Sequence, residues 1–267
     1  MAYEADRRVV LSQQNLVDRI RRRIMQYASA KWRGLPSYRD EDIEAFIADV
    51  VPVVITGQRQ VAGLTDAYLD SMFRLAGMTP PEAAAVGAYP RGVDPNSVYR
   101  RPAVTAYTAL SEGRPLGEAV LLGESRLRSL IAMDMQLART HQANVRLRGD
   151  YRVRGYRRTL SPGENCALCA IASTQRYTRE DLMPIHSGCR CEVVPIVGTH
   201  DPGQIINPER YDEVMRQLDE QDVDYSRLKD TRFDEAGRLD TVMVRVHGEH
   251  GPVLSWRDQN FTGPSDI

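Results

Sequence analysis

The residues best suited to chemistry are four cysteines and one histidine that lie together between residues 166 and 191. They are arranged as Cys-x2-Cys, then sixteen residues, then His-x2-Cys-x-Cys. A Cys-x2-Cys pair on a tight turn can direct both sulfurs to one tetrahedral ion, and the His-x2-Cys pair repeats that spacing. The pattern therefore predicts a structural zinc (Zn2+) site. Its five candidate ligands are Cys166, Cys169, His186, Cys189 and Cys191.

The cysteine segment has three chemical interpretations. For zinc, Cys166, Cys169 and Cys189 are the firmest ligands, and His186 and Cys191 compete for the fourth position. The cysteines could instead form two disulfides, or remain thiols that pack as small apolar side chains. A third interpretation makes one cysteine a nucleophile with His186 as its base, but the sequence identifies no orienting acid or oxyanion site. A catalytic zinc is not expected, because five potential ligands leave no open position.

Arginines are concentrated immediately before the cysteines. Residues 139–158 hold seven arginines and one acidic residue, whereas residues 201–240 hold twelve acidic and six basic residues. Because arginine can bind a phosphate through two hydrogen bonds, the basic stretch is a candidate contact for double-stranded DNA. Alternatively, these arginines form a solvated face or pair with the acidic segment. The candidate residues are Arg146, Arg148, Arg152, Arg154, Arg157 and Arg158.

Strands are expected on both sides of the cysteine segment. The alternation from Tyr151 to Arg154 predicts a hairpin over 146–160, with one apolar and one arginine-lined face and a turn near Gly149 and Asp150. Residues 192–197 are also expected to form a strand. These elements would hold the cysteines between them.

Helices are predicted for most of the chain before residue 145. In the first, Leu16, Ile20, Ile24 and Tyr27 share one face. Four arginines flank that face: Arg19, Arg21, Arg22 and Arg23. The predicted helices span residues 5–32, about 40–76, about 102–112 and about 116–142, with a long connection over 78–100.

Two further features are expected within these elements. Pro52 and Gly57 should kink or divide the second helix, because proline removes a backbone donor. In the acidic tail, one helix is predicted at about 208–221. A second β-hairpin is predicted over 241–256, with a turn at 247–251.

The overall composition limits the class of protein. A formal net charge of −1 argues against a protein that coats nucleic acid over its whole surface. The first residues show no apolar leader, and the most apolar stretch is too short to cross a bilayer. We therefore expect a soluble protein that is made in a cytoplasm and has no membrane contact.

The cysteine segment resembles the C-terminal signature of the phage Mu F-like minor head (capsid) proteins. The residues that carry the resemblance are Cys166-Ala-Leu-Cys169, the aromatic Tyr177, and the run from Leu182 to Cys191, which reads LMPIHSGCRC. Tyr156-Arg-Arg-Thr is similar to the strand that leads into the family motif, and the closing HGEHGPVL is similar to tails of such proteins in actinobacterial phages. The motif covers about residues 155–197.

The resemblance implies a virion protein that associates with the portal protein inside the head and contacts the major capsid or scaffold protein. It would act in head morphogenesis and, in some relatives, in DNA packaging or ejection. It would be made in the host cytoplasm. We assign no catalytic residue, because no Ser-His-Asp or Ser-Lys pattern stands out in the sequence. The alternatives are a capsid maturation protease and a zinc-stabilised DNA-binding module.

The expected fold class is α+β. A helical region for docking to the portal or another partner would cover residues 1–145, and a small Cys/His-stapled α+β module would cover 146–200. An acidic helix and a C-terminal hairpin would cover 201–267.

Overall fold

The computed structural model describes residues 2–160, 169, 172–173, 176–177, 190–201, 242–247 and 251–256. Helices dominate these residues, and short antiparallel strands accompany them, as expected for the α+β class. The helices are α1 (Ala2–Arg33), α2 (Asp40–Leu75), α3 (Pro95–Ser111) and α4 (Leu116–Arg148). The strands are β1 (Val153–Thr159), β2 (Arg176–Tyr177), β3 (Glu192–Val197), β4 (Val242–His247) and β5 (Gly251–Trp256).

The four helices pack around an apolar core. Trp32, near the end of α1, is fully buried, and its indole nitrogen donates to the carbonyl of Val120 at 3.0 Å. Its ring contacts Phe46 edge-on, with 5.5 Å between the ring centroids. Gly123 on α4 leaves the space that this ring fills, since a Cβ there would lie 2.5 Å from it. The tryptophan therefore fixes α1 against α2 and α4.

A three-stranded antiparallel sheet in the order β2-β1-β3 forms a second core with the helices. Tyr156 on β1 lies opposite Tyr177 on β2 and Pro195 on β3. Strand β3 contacts α1, α2 and α4. This second core joins the sheet to the later parts of α2 and α4, and its buried members include Leu69, Met72, Phe73, Ala143, Leu147, Val153, Tyr156, Cys169, Cys191 and Val194.

The predicted apolar face of α1 is confirmed at Ile24, which is buried, and at Ile20, which packs against the helical core, but it is wrong at Tyr27. The buried residues follow a stripe through Val17, Arg21, Ile24 and Ala28, whereas Tyr27 is 37% exposed. The side that carries Ala28 and Trp32 packs into the helical core, and this places Arg21 inside the protein.

Helix α2 confirms the helix predicted at about 40–76 and runs without interruption through Pro52. The proline lies on the exposed side of the helix. Of the two predicted effects of Pro52 and Gly57, a kink or a division, the division is therefore wrong. Its buried face includes Ile43, Phe46, Ile47, Val50, Val54, Val61, Tyr68, Leu69 and Met72.

Helix α3 begins seven residues before its predicted start, because Asp94 caps it. The Asp94 side chain accepts hydrogen bonds from the backbone N–H groups of Asn96 and Ser97, and Pro95 occupies the first helical position.

The hairpin predicted for residues 146–160 is wrong. Helix α4 continues to Arg148, across the boundary expected at residue 145, and only β1 follows it. The last turn of α4 carries Arg146, whose buried side chain pairs with Asp66 and Asp70. The strand predicted at 192–197 is confirmed as β3.

At the end of the chain, β4 and β5 pair in antiparallel register and confirm the C-terminal hairpin. The helix predicted at 208–221 lies outside the described residues. Within the described ranges, no helix combines the length and apolar character needed to cross a membrane.

Candidate metal centre

Two of the five predicted zinc ligands, Cys169 and Cys191, lie among the described residues, and each is 2% exposed. Both belong to the core that joins the sheet to the helices. Cys191 immediately precedes β3, and Cys169 lies in the chain between β1 and β2. Cys166, His186 and Cys189 lie outside the described residues. The fold thus brings one cysteine from each half of the motif to the same buried cluster.

Arg158 places a positive charge beside this cluster. Its Nη1 lies 3.6 Å from the Sγ of Cys191, and its guanidinium lies over the rings of Tyr156 and Tyr177 at 5.5 and 5.6 Å from their centroids. The two rings stack at 5.1 Å. A guanidinium at this position favours the thiolate form of a nearby cysteine, which is the form that binds metal.

The pKa of the buried Tyr177 depends on the charges around it. Burial raises the pKa of this phenol, and negative charge on Cys191 or Cys169 raises it further, while Arg158 lowers it. Its hydroxyl remains a donor, to the carbonyl of Ala172 at 3.1 Å. Tyr177 belongs to the same buried core cluster as both cysteines.

The donor chemistry of Cys169 and Cys191 fits a structural zinc site, since both are buried cysteine sulfurs and Cys191 lies beside Arg158. Within the described part of the chain, no group of three or more His, Cys, Asp or Glu residues converges. The remaining ligands of a four-coordinate ion would come from Cys166, His186 and Cys189.

Strand β3 is anchored to two helices directly after the last cysteine. On α4, Arg139 donates to the carbonyl of Cys191 at 2.7 Å and pairs with Glu192 at 3.3 Å. Burial raises the pKa of Glu192, and the charge of Arg139 opposes this shift. On α2, the hydroxyl of Tyr68 donates to the carbonyl of Val193 at 2.8 Å. These contacts fix the position of Cys191 relative to the helices.

The six arginines proposed for DNA contact have different environments. Arg146 is buried, pairs with Asp70 and Asp66, and donates to the carbonyl of Glu82 at 2.6 Å. Arg158 is buried beside Cys191. Neither guanidinium lies on the surface, where it would have to meet a phosphate of double-stranded DNA.

The other four lie at or near the surface. Arg152 pairs with Asp150, and Arg157 pairs with Asp201 through two hydrogen bonds of 2.7 and 3.0 Å. The Arg157 contact is an ion pair with the first residue of the acidic segment, as the alternative interpretation expects. Arg148 and Arg154 are exposed and remain the best candidates for phosphate contact.

Arg21 and Arg139 are buried charged residues that the sequence did not single out. Arg21 was expected on the flank of α1, yet it is 9% exposed. Its position four residues after Val17 and three before Ile24 was the available signal, because that spacing places all three on one helical face. We found no comparable spacing pattern that would have predicted the burial of Arg139.

The chain was compared with protein-family models, curated proteins and solved structures, and none of them matches it.

Proposed function

We propose that the chain is a minor head protein of a tailed bacteriophage, bound to the portal inside the capsid, where it acts in head assembly. The observation that carries the proposal is the Cys-x2-Cys and His-x2-Cys-Arg-Cys segment, which resembles the Mu F-like signature. Burial of Cys169 and Cys191 in one core cluster supports a structural role for this segment. A role in DNA packaging or ejection is part of the same proposal.

The Cys/His segment would hold the sheet against the helices. A bound zinc ion would crosslink residues that are far apart in the chain, which stabilises a segment too short to bury a large core of its own. Cys191 and Cys169 would be ligands, and Arg158 would stabilise the thiolate of Cys191. The hydrogen bond from Arg139 links the start of β3 to α4, and the hydrogen bond from Tyr68 links β3 to α2.

The surface for portal docking would lie on α3 and α4. Large apolar side chains are exposed there, with Val104 at 53%, Leu116 at 58% and Leu121 at 63% exposed. Tyr107 on α3 is 41% exposed. Exposed apolar residues on neighbouring elements are typical of protein interaction sites when they form a patch. These side chains are therefore the candidate residues for a surface that binds a larger assembly.

The test is co-expression with the portal, scaffold and major capsid proteins of the phage that encodes the chain. We expect the chain to purify with portal-containing particles and Leu121→Asp to reduce its incorporation. Val86→Asp, which changes an exposed apolar residue outside α3 and α4, is the matched control. Absence of the wild-type chain from the particles would contradict the proposal.

The same co-expression separates the alternatives. Specific cleavage of the capsid or scaffold protein, abolished by one Cys, His or Ser substitution, would make the protein a maturation protease. Salt-sensitive binding to duplex DNA that is lost in Arg148→Gln and Arg154→Gln, without portal association, would favour the DNA-binding module.

A further inference from the structure

An exposed tyrosine lies in the turn between the last helix and the three-stranded sheet. Tyr151 is 87% exposed, the highest value among the large apolar side chains of the described residues. A ring that buries so little surface adds almost nothing to the stability of the core. Its face is open to solvent, where it can stack on a flat ligand.

The turn that carries Tyr151 is fixed by hydrogen bonds. The N–H of Val153 donates to the carbonyl of Asp150 at 3.1 Å, which closes a β-turn with Tyr151 at its second position. The third residue of the turn, Arg152, pairs with Asp150 and donates to the carbonyl of Thr79 at 3.0 Å. A ring on a fixed turn has little freedom left to lose when a ligand stacks on it, and this favours binding.

Two exposed arginines flank the tyrosine. Arg148 is the last residue of α4, and Arg154 follows the turn on β1. Because the two ends of a β-turn lie within about 7 Å of each other, the end of the helix and the start of the strand meet beside Tyr151. Within the described part of the chain, neither arginine forms an ion pair, whereas Arg157 on the same strand does. Both guanidinium groups can therefore meet an anionic ligand.

A β-bulge places the side chain of Arg154 in solvent. Strand β1 gains one residue on β3 between Val153 and Gly155, so Arg154 has no partner of its own in the ladder. Its two neighbours are buried, whereas Arg154 is exposed. Bulges redirect a side chain and recur next to functional sites, so this one is a feature of the surface around Tyr151.

We propose that Arg148, Tyr151 and Arg154 form a binding surface for single-stranded nucleic acid. An unpaired base stacks on the ring of Tyr151, and the two arginines bind the adjacent phosphates through charge-assisted hydrogen bonds. A duplex keeps its bases stacked inside the double helix and offers the ring no free base. Single-stranded DNA and single-stranded RNA both supply this chemistry. A surface of three residues also agrees with the net charge of −1, which argues only against a general nucleic-acid coat.

The test measures binding of a short, fluorescently labelled oligothymidine to the full chain by fluorescence anisotropy. We expect Tyr151→Ala to weaken binding roughly 5- to 140-fold, as for the loss of one stacked base, and Tyr151→Phe to retain it. Because Tyr151 is exposed at a turn, both variants should melt at the wild-type temperature. Tyr107→Ala, which removes another exposed tyrosine on α3, is the matched control and should bind as the wild type does.

The salt dependence of binding separates the ring from the arginines. For a single strand, the slope of log affinity against log salt changes by about 0.7 per phosphate contact, so Arg148→Gln and Arg154→Gln should each lower it by that amount. Arg59→Gln, which changes an exposed arginine on α2, is the control and should leave the slope unchanged. Tyr151→Ala should weaken binding and keep the wild-type slope, because the ring neutralises no phosphate.

Equal affinities of the wild type and Tyr151→Ala for the oligothymidine would overturn the proposal. Tighter binding of a duplex of the same length, or no binding of the single strand, would also overturn it. An oligouridine of the same length distinguishes the two sources of the ligand, since the tighter of the two single strands identifies DNA or RNA, and either order supports the surface. The surface is independent of the proposed role in the phage head, which portal association tests separately.

Discussion

Replacing Arg146 by methionine tests whether the arginines before the cysteine segment stabilise the fold or contact DNA. The Arg146 side chain is 1% exposed and pairs with Asp70 and with Asp66, the latter at 3.4 Å. It also donates to the carbonyl of Glu82 at 2.6 Å. Methionine retains much of the apolar stem but removes all these hydrogen bonds.

The size of the expected loss of unfolding free energy depends on the partners that Asp66 and Asp70 keep after the substitution. Breaking a fully buried ion pair costs roughly 3–5 kcal/mol, because an uncompensated charge is left behind. Asp66 would keep its hydrogen bond from Gln142 at 3.3 Å, and Asp70 would keep its ion pair with Arg74 at 3.7 Å. The Asp70 side chain is also 28% exposed. We therefore expect a loss near the lower limit, about 2–3 kcal/mol.

The assay is urea unfolding of the full chain, followed by circular dichroism, with thermal unfolding as a second measurement. The expected loss corresponds to a fall in melting temperature of roughly 4–12 °C. Arg148→Met, two residues later on the exposed surface, is the control and should change stability by less than about 0.5 kcal/mol. Equal stabilities for the two variants would refute the assignment of Arg146 to the fold.

Two other changes test the sheet and the pH dependence. Gly155→Ala should lower the unfolding free energy by about 1–3 kcal/mol, because a Cβ there would lie 2.3 Å from the carbonyl oxygen of Tyr177. Gly87→Ala, with nothing within 4 Å, is the control, and the prediction fails if both variants unfold at the same urea concentration. Burial lowers the pKa of His141, so folding favours the neutral ring and stability is lost as the pH falls through the ordinary value of 6.5. In urea unfolding at about pH 7.5 and about pH 5.5, His141→Gln should therefore lose less stability than the wild type on acidification, and an identical loss would contradict this.

Local sequence patterns predicted the helices and strands whose buried residues follow a regular apolar spacing or form a short apolar run. The apolar face of α2 follows helical spacing, and β3 is a short apolar run, so both were visible without a structure. The same holds for the pairing of β4 with β5, where two apolar runs flank a turn. The start of α3 was missed although Asp94 and Pro95 form a recognisable helix start.

The burial of Arg146 and Arg139 could not be predicted, because their partners are distant in the sequence. Arg146 lies eighty positions from Asp66, and Arg139 lies 53 positions from Glu192. A run of arginines suggested one exposed basic surface. Tertiary pairing instead placed some of them in the core and left others on the surface.

The candidate ligands of the metal site are a prediction from the sequence, whereas the surroundings of Cys191 could not be predicted from it. The spacing of the cysteines is visible in the sequence, whereas the approach of Arg158 to Cys191 requires the register of β1 with β3. In that register Arg158 lies opposite Val193, two residues after Cys191.

The zinc content of the purified full-length chain tests the central claim most directly. Prepared in reducing buffer without chelators, the wild type should contain about one zinc ion per chain by mass spectrometry. Cys191→Ser should lose most of this zinc, whereas His200→Gln, which changes a histidine outside the motif, should retain it. A zinc-free wild-type chain with all four cysteines in disulfides would contradict the account.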